Sequence, residues 1–252
     1  MFYHIKFTDE GDYLMNRILL MCLRNFWRVP GAWFKLCKYA KNTDKYSRQE
    51  MYDHIRYIMN LAVTSGNLDF QVYGKENMPK ENGFLLYGNH QGFFDAVALI
   101  AACEMPIAAV FKKELSGIPF LDQVIACTDS YQMDREDVRQ SMEVILKVAK
   151  DVVEDKKNVV IFPEGTRSKN GNKMGDFHAG SFKSAQKAKC PIVPFVFINS
   201  SRVLEDKGIG PMTVQLHFLE PILYEEYKPL KTVELAAMVK ERIQNVLDQY
   251  AD

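Results

Sequence analysis

Residues 83–95 read GFLLYGNHQGFFD, and residues 159–168 read VVIFPEGTRS. Each stretch opens as an apolar run of strand length and breaks into a polar, glycine-containing turn. That is the pattern of parallel strands delivering side chains to one end of an α/β sheet. The pair predicts an α/β fold, a mostly parallel mixed sheet flanked by helices, with the two turns as neighbours in space.

In the first turn His90 and Asp95 lie five residues apart, a spacing that does not put them on one helix face. A loop running into a helix does let them meet. His90 follows the strand, and Asp95 opens the helix-forming run AVALIAAC, where the helix dipole favours a carboxylate. A hydrogen bond between them fixes the imidazole tautomer and leaves the second nitrogen as a general base. Residues 89–95 contain no Ser, Cys or Thr, so the proton that His90 takes belongs to a substrate. The second turn sets Glu164, Gly165, Thr166 and Arg167 at a strand end as candidate binding residues. Arg167 offers a planar fork for phosphate, and Gly165 lets a ligand approach the backbone.

The two turns together, in this order and at this spacing, resemble the glycerophospholipid acyltransferase family in its 1-acylglycerol-3-phosphate (lysophosphatidic acid) acyltransferase branch. The likeness covers residues 73–221. It implies transfer of a fatty acyl group from acyl-CoA or acyl-carrier protein to the hydroxyl of 1-acyl-sn-glycerol 3-phosphate, a lysophospholipid, giving phosphatidic acid. His90 is then the base and Asp95 its support, with no metal and no organic cofactor. A family lysine at the end of the strand over 106–111 faces the acceptor phosphate, which selects Lys112 with Lys113 in reserve. YQMDR, ending at Arg135, resembles the block whose arginine contacts that phosphate; Asp129 stands where the block usually begins with glycine. Gly92 stands where the family most often has serine, and backbone N–H groups near it are candidate donors to an oxyanion. Residues 190–195, CPIVPF, resemble the block that shapes the acyl-donor side.

Other readings stay open from sequence. The acceptor could be glycerol 3-phosphate or another lysolipid. A His-Asp hydrolase would need a nucleophile that the first turn lacks. A non-catalytic membrane-binding relative would have no use for His90, Asp95, Glu164 and Arg167 together.

The rest of the chain frames these turns. At 252 residues with a formal net charge of zero, it can bury a full core, and bulk charge points to no nucleic-acid partner. Five cysteines are scattered singly, as expected of reduced thiols in a cytosolic setting rather than a disulfide frame or a zinc site. Residues 1–10 lack the pattern of a signal peptide, and no apolar run is long enough to span a bilayer. Residues 13–41 carry six basic residues (Arg17, Arg24, Arg28, Lys35, Lys38, Lys41), no acidic one and both tryptophans. Read as two short helices divided at Pro30 and Gly31, they form an amphipathic hairpin (domain 1–45) lying in the membrane interface, with the catalytic domain at 46–252. The expected location is the cytoplasmic face of a membrane, peripheral or monotopic. Further expectations are a sheet-packing face on the helix over 136–156 that includes Val138, a polar lid over 168–175, and Asp176 capping the helix after it. His178 is the weaker candidate for a base.

Overall fold

The computed structural model describes residues 10–168, 171–205 and 208–250. The reading of residues 1–9 as no leader, and the tip of the lid at 169–170, lie outside them. The elements run α1 (Glu10–Arg24), α2 (Val29–Ala40), α3 (Arg48–Ser65), β1 (Leu68–Tyr73), β2 (Leu85–Gly88), α4 (Phe94–Ala102), β3 (Ile107–Lys112), α5 (Leu121–Thr128) and β4 (Tyr131–Met133). Then follow α6 (Val138–Glu154), β5 (Asn158–Ile161), α7 (Lys183–Ala188), β6 (Ile192–Ile198), α8 (Arg202–Glu205), β7 (Met212–Phe218), α9 (Tyr224–Tyr227) and α10 (Thr232–Leu247).

The described residues form one seven-stranded sheet in the order β1-β7-β6-β2-β5-β3-β4. Every neighbouring pair is parallel except β6 and β7, so the sheet is mixed and mostly parallel, as the apolar runs predict. Strands β2, β5 and β6 are buried along their whole length, which is why they read as unbroken apolar runs. Alternate residues feed two cores. Leu86, Val160 and Phe195 face the helices from α1 to α5, while Leu85, Val159 and Val196 face α6, α7 and α10. In β7 only alternate residues are buried, because one face of this end of the sheet meets solvent.

Local chemistry sets the helix ends near the site. Ser47 accepts a hydrogen bond from Glu50 N at 3.1 Å and starts α3, and Asp137 accepts from Arg139 N and Gln140 N to start α6. Several local expectations are corrected. Pro30 and Gly31 do not divide the hairpin. The break lies before α2, and Pro30 sits in its first turn, where a missing N–H leaves no hydrogen bond unmade. Arg17 does not join a basic outer face, since its guanidinium is buried and donates to Gly66 O at 2.5 Å and Gly208 O at 2.9 Å, clamping α1 to the body. Val138, the first residue of α6, is 79% exposed, and the buried face of the helix begins only at Ile145. Asp176 caps no helix; it accepts from Lys240 Nζ at 2.8 Å.

All five cysteines are free, Cys22 on the surface and Cys103, Cys127 and Cys190 inside. Burial pushes the Cys103 thiol up to about 12, which holds it protonated and inert. No helix among the described residues is long and apolar enough to cross a membrane.

Candidate active site

β2 and β5 are neighbouring parallel strands, so the turns that follow them emerge side by side at one sheet edge. Backbone and side chains zip them together. His90 N donates to Glu164 Oε1 at 2.7 Å, and Ser168 N donates to His90 O, also at 2.7 Å. The His90 ring stacks on Phe162, with centroids 4.1 Å apart. The imidazole is thereby held at both backbone atoms and one face.

Asp95 sits in the first turn of α4 and is fully buried. Its Oδ2 accepts from His90 Nδ1 at 2.6 Å, from Gln91 N at 2.7 Å and from Gly92 N at 3.0 Å. An ionised carboxylate can only accept, so the imidazole hydrogen stands on Nδ1 and Nε2 keeps its lone pair for an incoming proton.

The same geometry narrows one expectation and corrects another. The N–H groups of Gln91 and Gly92 are both engaged by Asp95, so the expected oxyanion donors near Gly92 are left to other N–H groups of the turn. Glu164 is buried and turned inward: Oε1 takes the His90 N–H, and Oε2 takes Gly175 N at 2.7 Å, so it joins the turns instead of facing a substrate. Burial raises its carboxyl above the usual range, opposed by those two N–H groups.

The candidate phosphate ligands are spread around this core. Arg135 reaches the second turn and donates to Gly165 O. Gly165 has φ +66°, and a Cβ there would come within 3.0 Å of the His178 ring. Arg167 lies over the Phe93 ring, 4.1 Å from its centroid, and Thr166 is exposed beside it. Lys112 ends β3, 3.2 Å from Glu114, whereas Lys113 pairs with Asp134. His178 has no carboxylate behind its ring of the kind His90 has; its backbone N–H donates to Pro163 O, and it borders a cavity of about 380 Å³ shared with Arg135 and Gly165.

A second cavity, of about 430 Å³, lies between the hairpin and α4. Its lining is almost entirely apolar and includes Met21, Trp33 and Leu36 on one side, and Phe94 and Val97 of α4 on the other.

Sequence reasoning missed the polar residues behind the dyad. The Asn89 side chain donates to Phe197 O at 2.9 Å and accepts from Phe197 N at 2.7 Å, standing in for a strand partner at the end of β6. Buried Gln91 and Ser200, with the half-buried Asn172 and Asn199, form a further polar cluster against Asp95. Nothing local announces these contacts, since Asn89 and Phe197 lie 108 residues apart.

A mostly parallel α/β sheet whose neighbouring strand ends carry an HxxxxD turn and an FPEGTRS turn defines the class of acyltransferase-type α/β proteins. The family model described as Acyltransferase matches residues 69–198, and the chain belongs to that family. It is similar to the 1-acyl-sn-glycerol-3-phosphate acyltransferase of Saccharomyces cerevisiae, 32% identical over 77% of this chain and 63% of the relative. It is also similar to the protein of that name from Helicobacter pylori, 34% identical over 58% of this chain and 60% of the relative. The matches thus span less than two thirds of the length of either relative. The crystal structure of the 1-acyl-sn-glycerophosphate (LPA) acyltransferase PlsC from Thermotoga maritima shares the fold. Its TM-score is 0.75 at 20% identity, over 94% of this chain and 97% of that one.

Proposed function

We propose that the protein transfers a fatty acyl group from a thioester, acyl-CoA or acyl-carrier protein, to the hydroxyl of 1-acyl-sn-glycerol 3-phosphate, releasing phosphatidic acid and the free thiol. The observation that carries this reading is the 2.6 Å contact of His90 Nδ1 with a buried carboxylate, in a turn zipped to an arginine-bearing turn. His90 Nε2 takes the hydroxyl proton as the alkoxide oxygen attacks the thioester carbonyl, and Asp95 stabilises the imidazolium that forms. The thiolate then leaves and takes a proton. Arg135 and Arg167, with Lys112 at the neighbouring strand end, hold the acceptor phosphate so that its hydroxyl is presented to His90. The relatives named as 1-acyl-sn-glycerol-3-phosphate acyltransferases support this acceptor.

The apolar cavity beside Phe94 and Val97 gives an acyl chain a dry place next to the catalytic helix. The hairpin supplies access to lipid. Leu19, Leu23, Phe26, Trp27 and Phe34 are exposed on it beside Arg28, Lys35 and Lys38, as in a segment lying in a membrane interface. The protein is then a peripheral enzyme that collects its acceptor from the bilayer. A donor-by-acceptor panel read by mass spectrometry tests the reading, with His90→Ala as control. Phosphatidic acid is expected only when lysophosphatidic acid and an acyl thioester are both present. Release of free fatty acid without acceptor dependence, or full turnover by His90→Ala, would overturn it.

A further inference from the structure

We propose that Ser200 is the positioning residue of the dyad: two residues past β6, its hydroxyl donates to Asp95 Oδ1, the carboxylate oxygen opposite the one that holds His90. The assignment rests on the acyl-transfer reading above for its catalytic consequence and on geometry for everything else. Both side chains are fully buried, so no water replaces this hydrogen bond if it is lost.

Ser200 is also oriented for the task. Asn199 before it has φ +61°, a left-handed conformation that non-glycine residues adopt where surrounding contacts over-determine it, often at functional sites. Those contacts are visible: Asn199 N donates to Asn172 Oδ1 at 3.0 Å, and Ser200 N donates to Gln91 Oε1 at 2.8 Å. The Gln91 amide has a fixed sense, because its Nε2 donates to Asn172 Oδ1 at 2.9 Å. Its Oε1 therefore faces Ser200 Oγ at 2.9 Å as an acceptor, and the single hydroxyl hydrogen must choose between that oxygen and Asp95 Oδ1. The carboxylate wins, since a charge-assisted hydrogen bond is about twice as strong as a neutral one.

With Oδ2 filled by His90, Gln91 and Gly92 and Oδ1 by Ser200, Asp95 has no freedom to rotate. Ser200 thereby fixes the carboxylate plane, and through it the direction of His90 Nε2. It touches neither substrate, so its loss acts on turnover rather than on binding.

The test compares Ser200→Ala with Ser200→Thr, which keeps the hydroxyl, with thermal unfolding measured on each and activity expressed per folded protein. Ser200→Ala is expected to lower kcat about ten- to a hundredfold, with each KM changed less than about twofold, and Ser200→Thr to recover most of the rate. The substrate-free readout is the low-field proton resonance of the His90 Nδ1–H···Asp95 bond, assigned by its absence in His90→Ala. It is expected to move in Ser200→Ala and to return toward its wild-type position in Ser200→Thr. A resonance unmoved in Ser200→Ala, a kcat per folded protein unchanged in it, or a Thr variant as impaired as the Ala one would each overturn the proposal. Wild-type protein that turns over no lysophosphatidic acid would instead overturn the acyl-transfer reading, leaving the resonance comparison to judge the brace alone.

Discussion

Asp95 is fully buried, and a carboxylate in such a place costs several kcal/mol unless hydrogen bonds replace the lost water. Here the His90 ring, two backbone N–H groups and a hydroxyl replace it. The arrangement makes a particular prediction for Asp95→Asn. The N–H groups of Gln91 and Gly92 converge on the Oδ2 position, so the amide oxygen of asparagine takes that place and its NH2 turns toward Ser200, which can accept. The imidazole tautomer survives, and what is lost is the negative charge beside the imidazolium. A charge-assisted hydrogen bond is worth about 1.5–3 kcal/mol, so kcat should fall about ten- to a hundredfold with KM little changed. A loss of about ten-thousandfold, the scale seen where an asparagine inverts the tautomer of a catalytic histidine, would show that the amide had flipped. Steady-state kinetics of the purified variant decides between them.

At the scale of the element, the end of α5 shows a local rule being broken and compensated. Asp129 has φ +49°, a left-handed position that costs a residue with a Cβ about 1 kcal/mol, which explains why glycine suits it. In exchange its carboxylate pairs with Lys157, an ammonium only 4% exposed that also lies 3.4 Å from Asp151. Asp129→Gly relieves the backbone but removes one of two partners from a buried charge, and the loss should win by about 1 kcal/mol. A urea midpoint higher than wild type would show the backbone term to be larger.

The same cluster sets an acid limit. Burial raises the Asp151 carboxyl, but hydrogen bonds from Lys147 and Tyr131 and the charge of Lys157 outweigh it and hold the group below the usual carboxylate range. A group depressed on folding contributes stability above its unfolded value, about pH 4, and loses it as pH falls through the folded value. Asp151→Asn should therefore be less stable than wild type at neutral pH, with the gap narrowing below about pH 4 in urea melts. A gap that stays constant down to acid would remove Asp151 as the source.

Elements of this kind also mark how far the sequence could be read. The buried strands announce themselves because a strand covered on both faces is apolar throughout, as IVPFVFI is over β6. The meeting of the two turns follows from strand order, and the His90–Asp95 contact from five residues of local chain. The inward turn of Glu164, the capture of the Gly92 N–H and the Ser200 brace did not follow, because each depends on a polar partner set by the fold. Ser200 and Asp95 lie 105 residues apart, and periodicity carries no record of such pairs. Pro30 misled for a related reason, since proline marks a helix break and a helix start with the same letter.

For the whole molecule, the hairpin is continuous with the rest of the protein and is no loose appendage. Met21, Leu36 and Tyr39 share one core with α3, α4 and the sheet, Arg17 holds the carbonyls of Gly66 and Gly208, and the apolar cavity lies beneath. Its outer face is different. Phe26, Trp27 and Phe34 are 65%, 63% and 72% exposed, so they add little to folding and are free to bury against something else. If that partner is a lipid surface, each ring taken out of water contributes about 1.5–3 kcal/mol, and each nearby Lys or Arg about 1 kcal/mol with anionic lipid. Phe26→Ser with Trp27→Ser should then leave the unfolding temperature within about 2 °C of wild type while lowering partitioning into anionic vesicles at least tenfold. Raising salt should weaken the residual binding further, because the basic residues act through a screened field. Turnover of lysophosphatidic acid presented in vesicles should fall with binding, whereas turnover of a short-chain, monomeric acceptor should persist, since the dyad is untouched. Vesicle sedimentation equal for the variant and wild type would leave the exposed aromatics without a role at the membrane. A drop in melting temperature large enough to account for the lost activity would assign them to folding instead.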